Sequence, residues 1–112
     1  MSDAPSTSTE LDTASVLAEL VQYQAGAVVS RTVMKRAAGT VTAFAFDDGE
    51  GLSEHTAAFD ALVIMIEGTA EIAVAGHPQR VTAGQVLRLP AGRPHALRAL
   101  TPFKMLLVMI RE

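Results

Sequence analysis

Residues 84–95 read GQVLRLPAGRPH, and this stretch decides the fold. Its first half supplies a run of four residues, 86–89, short enough for a strand and bounded on both sides by residues suited to turns. In the second half Pro90, Gly92 and Pro94 crowd into five positions. Pro and Gly at such spacing make a tight turn, which here delivers His95 to the start of the next strand. Along 95–99 the alternation of a strand puts His95, Leu97 and Ala99 on one face and Arg98 on the other.

Outward from this stretch the same grammar repeats. Short β-rich runs are predicted at 27–35, 40–46, 53–56, 59–66, 70–75, 79–81, 86–89, 95–99 and 103–110. DDGEG (47–51), EG (67–68), AGHP (75–78), AG (83–84) and PAGRP (90–94) punctuate them. Many short strands between such turns favour a two-sheet sandwich or barrel over a fold with helical crossovers. In the region 53–66, regular alternation gathers His55, Ala57, Phe59, Ala61, Val63 and Met65 on one face, and Glu54, Asp60, Leu62 and Ile64 on the other. Both His55 and His95 are therefore expected to face the interior. His77 falls in the AGHP segment and reads as a solvated turn residue.

Before the strands, residues 1–10 (MSDAPSTSTE) have the composition of a disordered tail. Leu11, Ala14, Leu17, Ala18 and Leu20 recur at roughly helical spacing, so 11–26 is expected to hold a short helix and a linker, packed on the outside of a barrel spanning 27–112. The chain of 112 residues suits one domain with one core. It has no cysteine, which removes disulfides, thiolate metal sites and cysteine nucleophiles. A cytoplasmic setting is expected, with no membrane partner, because no apolar run approaches the ~20 residues that span a bilayer. The net charge of -3 is uneven: Asp3, Glu10, Asp12 and Glu19 stand in the first twenty residues with no Lys or Arg, leaving 9 bases against 8 acids in the rest. A body so nearly neutral, with no Trp and one Tyr, lacks the basic field and stacking groups that nucleic-acid binding needs.

Two motifs carry a resemblance. Residues 49–68, GEGLSEHTAAFDALVIMIEG, and residues 84–95 are similar to the two conserved motifs of the cupin superfamily. Gly84, Pro90, Gly92 and His95 stand at the spacing of its second motif, and Gly49 with His55 fits the start of its first. The resemblance covers about residues 27–111. It implies an all-β double-stranded β-helix, the cupin jelly-roll barrel of two antiparallel sheets. It also implies a site at the barrel mouth. Metal-bearing cupins hold an ion with two histidines and a glutamate of the first motif and one histidine of the second. By that pattern His55 and His95 are kept, the other histidine is replaced by Ala57, and the glutamate falls at Ala61 or, with shorter spacing, at Asp60. Alternation aims Asp60 at the wrong face.

Three functions follow as competing expectations. The first is a small-molecule-binding protein whose ligand sits in the cavity near His55 and His95, against Ala57, Ala61 and Met65, since replacing two ligating side chains by alanine enlarges and depolarises such a cavity. The second is a metal-dependent oxygenase or isomerase on a reduced site of His55 and His95 alone. The third is metal-free acid/base catalysis like that of the epimerases of this fold, with one imidazole taking a proton near neutral pH. No tightly bound cofactor is expected, because two imidazoles leave most of a first-row ion's shell to water; zinc, nickel, iron or manganese could be held only weakly.

A homodimer is also expected. ALVIMI (61–66) and MLLVMI (105–110) are apolar at every position, whereas a strand with one wet face should alternate. Leu62, Ile64, Leu106, Val108 and Ile110 would then form an outer patch that needs cover, from a partner or from the segment at 11–20.

Overall fold

Burial along each strand shows which face it turns inward. In the fourth strand Ala61, Val63 and Met65 are 8, 0 and 2% exposed, while the intervening Leu62 is 37% exposed. The alternation read from the sequence therefore holds. The computed structural model describes residues 11–111, and the tail expected at 1–10 lies outside them. All nine expected strands form: β1 (Val28–Arg36), β2 (Gly39–Phe46), β3 (Gly51–His55), β4 (Asp60–Glu67), β5 (Thr69–Val74), β6 (His77–Thr82), β7 (Val86–Leu89), β8 (His95–Ala99) and β9 (Phe103–Ile110). They make two antiparallel sheets, one ordered β1-β2-β9-β4-β7 and the other β3-β8-β5-β6.

Between the sheets lies the core. Phe46 and Phe103 are lateral partners, fully buried, and stack with ring centroids 4.3 Å apart and planes 9° from parallel. Val63, Met65 and Met105 from the larger sheet meet Ile72, Leu97 and Ala99 from the smaller one. Sequential strands such as β3 and β4 fall in different sheets, so the chain repeatedly crosses the barrel through short turns. The β4–β5 crossing hinges on Gly68, at φ +81°, packed against the backbone of Pro102 and Phe103. The β5–β6 hairpin closes on two residues with positive φ, Ala75 and Gly76. That is the backbone of a two-residue turn whose twist matches the strands it joins.

The helix expected near the N-terminus is reduced to a single 3-10 turn at Leu17–Glu19. Apolar residues there do not repeat over enough turns to bury a helical stripe. The two that are buried, Leu20 and Val21, are neighbours in sequence and pack on Val33, Ala43 and Ala45 on the outer face of the larger sheet. The segment thus acts as an extended strap. Lys104, 6% exposed, donates from Nζ to the carbonyl of Ala18, and Arg31 donates to that of Leu20. Lys104 Nζ also lies 4.9 Å from the centre of the Tyr23 ring, whose hydroxyl donates to Glu67 at 2.6 Å. Burial, reinforced by the Glu67 carboxylate, pushes the Tyr23 hydroxyl well above its ordinary range, so it remains a donor.

Candidate functional site

At one end of the barrel β3 finishes and β8 begins, and His55 and His95 are direct lateral partners. The rings meet edge to face, 70° apart with centroids at 4.3 Å, and their Nε2 atoms are 3.1 Å apart. His95 is 5% exposed; His55 is exposed at the barrel mouth. The turn that presents His95 is fixed twice. Gly92 N–H donates to the carbonyl of Ala57 at 2.8 Å, and Ala91 N–H donates to the Asp60 carboxylate at 2.7 Å. Asp60 therefore builds the turn from outside the barrel and contributes no ligand to its interior.

The hydrogen bonds dictate the tautomers. His55 Nδ1 lies 2.9 Å from the carbonyl oxygen of Ser53, an acceptor only, so Nδ1 carries the hydrogen. A neutral His55 then has a bare Nε2, and His95 must donate to it from its own Nε2. This leaves His95 Nδ1 bare and, being buried, without a hydrogen-bond partner. Burial first, and the neighbouring His55 second, push the His95 pKa below its ordinary value, with the Arg93 backbone partly opposing them.

That shift fixes a pH dependence. A histidine whose folded pKa lies below its unfolded value of 6.5 contributes stability that is fully present above that pH and is lost as the pH falls toward the folded pKa, because the unfolded chain binds the proton more readily. Stability of the parent is expected to drop on acidification from about pH 6.5. In His95→Gln this part of the slope should vanish. Denaturant midpoints across pH 4.5–8 check it, and an unchanged slope in the variant would assign the titration elsewhere.

The remaining expected site residues are placed as follows. Ala61 starts the inner face of β4, one sheet across from the pair, while Ala57 lies in the connection between β3 and β4 rather than on a strand with His55. The grouping of 55–65 on one face thus breaks into two sheets, both turned inward. Met65 is 2% exposed, pairs with Met105 and lies four residues along β4 from Ala61, about 13 Å at strand rise. It belongs to the core below the pair. His77 is not in the turn: it opens β6 opposite Val74, which is itself opposite His95. All three histidines consequently stand in one row of the smaller sheet.

A cupin-type metal would have to be held by what is present. Two Nε2 atoms 3.1 Å apart can both reach one ion at about 2.0–2.1 Å. Ala57 and Ala61 offer nothing further, and among the described residues no group of three His, Cys, Asp or Glu side chains could hold a metal ion. The donor set does not fit a closed metal site.

Two antiparallel sheets crossed by short turns, with polar side chains gathered at one end, define the chain as a small jelly-roll barrel. The family described as "Cupin domain" matches residues 43–110. The chain belongs to the cupin superfamily. Among solved structures it is similar to a conserved protein of unknown function from Streptococcus pyogenes, with 34% identity, 91% of this chain and 90% of that one covered, and a TM-score of 0.86. It is similar to a cupin superfamily protein from Desulfitobacterium hafniense at 26% identity, covering 91% and 94% of the two chains with a TM-score of 0.86. It also resembles a Cupin 2 conserved barrel domain protein from Leptotrichia buccalis, at 38% identity and a TM-score of 0.81, over 85% of this chain and 46% of that one. No match was found among curated proteins.

Proposed function

We propose that the chain is a small-molecule-binding cupin whose ligand contacts His55 and His95 at the barrel mouth, without a tightly held metal. One observation carries this reading: a buried imidazole hydrogen-bonded to an exposed one, 3.1 Å apart, at the barrel's end. His55 supplies a polar anchor already oriented by Ser53, and Ala57 and Ala61 leave room beside it. Acid/base catalysis is the weaker reading, since His55 has both nitrogens engaged and, among the described residues, no carboxylate is hydrogen-bonded to the pair.

The test has two arms. Thermal shifts are measured against a panel of sugars, amino acids and aromatic metabolites, and at least one compound class should stabilise the parent and not His55→Ala. Elemental analysis after dialysis against a mild chelator should find well under one ion per chain. Retention of about one iron, manganese or zinc, lost in both His55→Ala and His95→Ala, would overturn the metal-free reading.

The protein is also read as a homodimer. Met34, Val41, Val108 and Leu62 are lateral partners in one row across four strands of the larger sheet. Met34, Leu62, Val86 and Ile110 are 43, 37, 61 and 55% exposed. The N-terminal strap covers the Ala43 and Ala45 side and leaves Met34, Leu62 and Ile110 exposed, an apolar surface that a partner subunit would bury. Light scattering at micromolar concentration should report a dimer, and Leu62→Glu a monomer. A monomeric parent would overturn the assembly.

A further inference from the structure

The registers of the two sheets assign two facing rows of side chains to the barrel mouth. On the larger sheet Lys35, Thr40, Met109, Ala61 and Leu89 are successive lateral partners. On the smaller one the row is His55, His95, Val74 and His77. Both rows face inward. Thr40 alternates in step with Phe44 and Phe46, and Val74, Ala61 and Met109 pack on the core. Lys35 reaches this face only because β1 carries a bulge between Thr32 and Met34. The extra residue turns Met34 outward and Lys35 inward.

Among the described residues these rows hold an ammonium group, three imidazoles and a hydroxyl, and no carboxylate. Of the acids at this end, Asp60 is committed to the Ala91 amide on the outer side, and Glu54, exposed, precedes His55 in β3 without a lateral partner in β8. Asp47, Asp48, Glu50 and Glu67 stand at the opposite end of the barrel, around the β2–β3 and β4–β5 connections. Chain connectivity also sets which edges face each other. The short β2–β3 link, tied by Gly49 N–H to the Ala99 carbonyl, stands the β1–β2 edge over β3 and β8, so Lys35 and His55 lie on the same side of the mouth.

We infer that this mouth takes a small organic acid, its carboxylate between Lys35 and the histidine pair and its apolar part against Met109 and Ala61. This rests on the proposed ligand site. A single ammonium group beside imidazoles matches a single carboxylate better than a dianionic phosphate, which proteins usually cradle with a helix N-terminus, backbone amides or bidentate arginine. Facing sheets lie about 10 Å apart, a gap that a lysine stem and a small acid bridge together.

Benzoate, hexanoate and glutarate, each paired with its amide, serve as probes, titrated by NMR on the imidazole resonances of the full chain. At least one acid should bind tenfold or more tightly than its amide. Lys35→Met should lower that affinity about tenfold, as loss of a charge-assisted hydrogen bond does, leave amide binding unchanged, and be rescued by Lys35→Arg. Acids and amides binding equally, or acids unaffected by Lys35→Met, would overturn the acid preference while sparing the ligand site. So would a neutral member of the metabolite panel that shifts His55 and His95 when no acid does. If nothing in either panel perturbs the pair, both readings fall.

Discussion

Phe103→Ala is expected to lower the stability of the folded chain by about 3–5 kcal/mol. Phe103 has no exposed surface and stacks on Phe46, its equally buried lateral partner. Truncation removes the contacts of an entire ring and opens a void that the surrounding sheets, fixed by their ladders on both sides, can only partly close. Since a domain of this size has about 5–15 kcal/mol to lose, the variant should approach the limit of folding at moderate temperature. Phe103→Leu, which keeps most of the apolar volume, should cost less than half as much. Urea midpoints of the two variants make the comparison, and equal losses would show that the cost comes from the lost ring stack and not from the void.

Gly68→Ala should be nearly as damaging, about 3–4 kcal/mol, although it adds only one methyl group. Two costs combine. At φ +81° an L side chain is strained by its own backbone, and the new Cβ would fall on the Pro102 carbonyl oxygen and within 2.7 Å of both Cα and Cβ of Phe103. Neither neighbour can swing aside, because Phe103 is pinned in the core and the adjoining backbone is tied by Leu100 and Thr101 N–H to the Thr69 carbonyl. Gly76→Ala is the control: it has a similar φ of +80° but open space around it, so it measures the backbone strain alone. The difference between the two variants is the steric part, and losses of equal size would dismiss it.

Much of this structure was legible because strands and turns write themselves locally. The Pro90–Gly92–Pro94 spacing placed His95 at a strand start, and the period of two placed Ala61, Val63 and Met65 inside. Asp60 was rightly turned outward by the same rule. What stayed hidden depends on register. The bulge before Met34 reverses the face of everything after it in β1, so regular counting from Val28 leaves Lys35 outside when it belongs inside. His77 looked like a loop residue because AGHP reads as one turn. Only the hairpin pairing of Val74 with His77 shows that Ala75 and Gly76 suffice. Met65 and Ala61 share a face, but sharing a face says nothing about depth along the barrel. The strap was also unreadable, since Leu20 and Val21 are buried by a surface assembled from distant strands.

The order of strands has a consequence for how the molecule comes into being. β9 is the last of the described strands in the chain, yet it sits at the centre of the larger sheet between β2 and β4. Until Phe103–Ile110 has emerged from the ribosome, the β1–β2 hairpin and β4 have nothing to join them, and half of the core lacks its wall. A nascent chain must therefore carry its apolar β4 strand without this partner until β9 emerges. Folding then begins late, as an all-or-none closure dominated by pairings far apart in sequence, and should proceed in milliseconds to seconds, slower than a helical bundle of the same length.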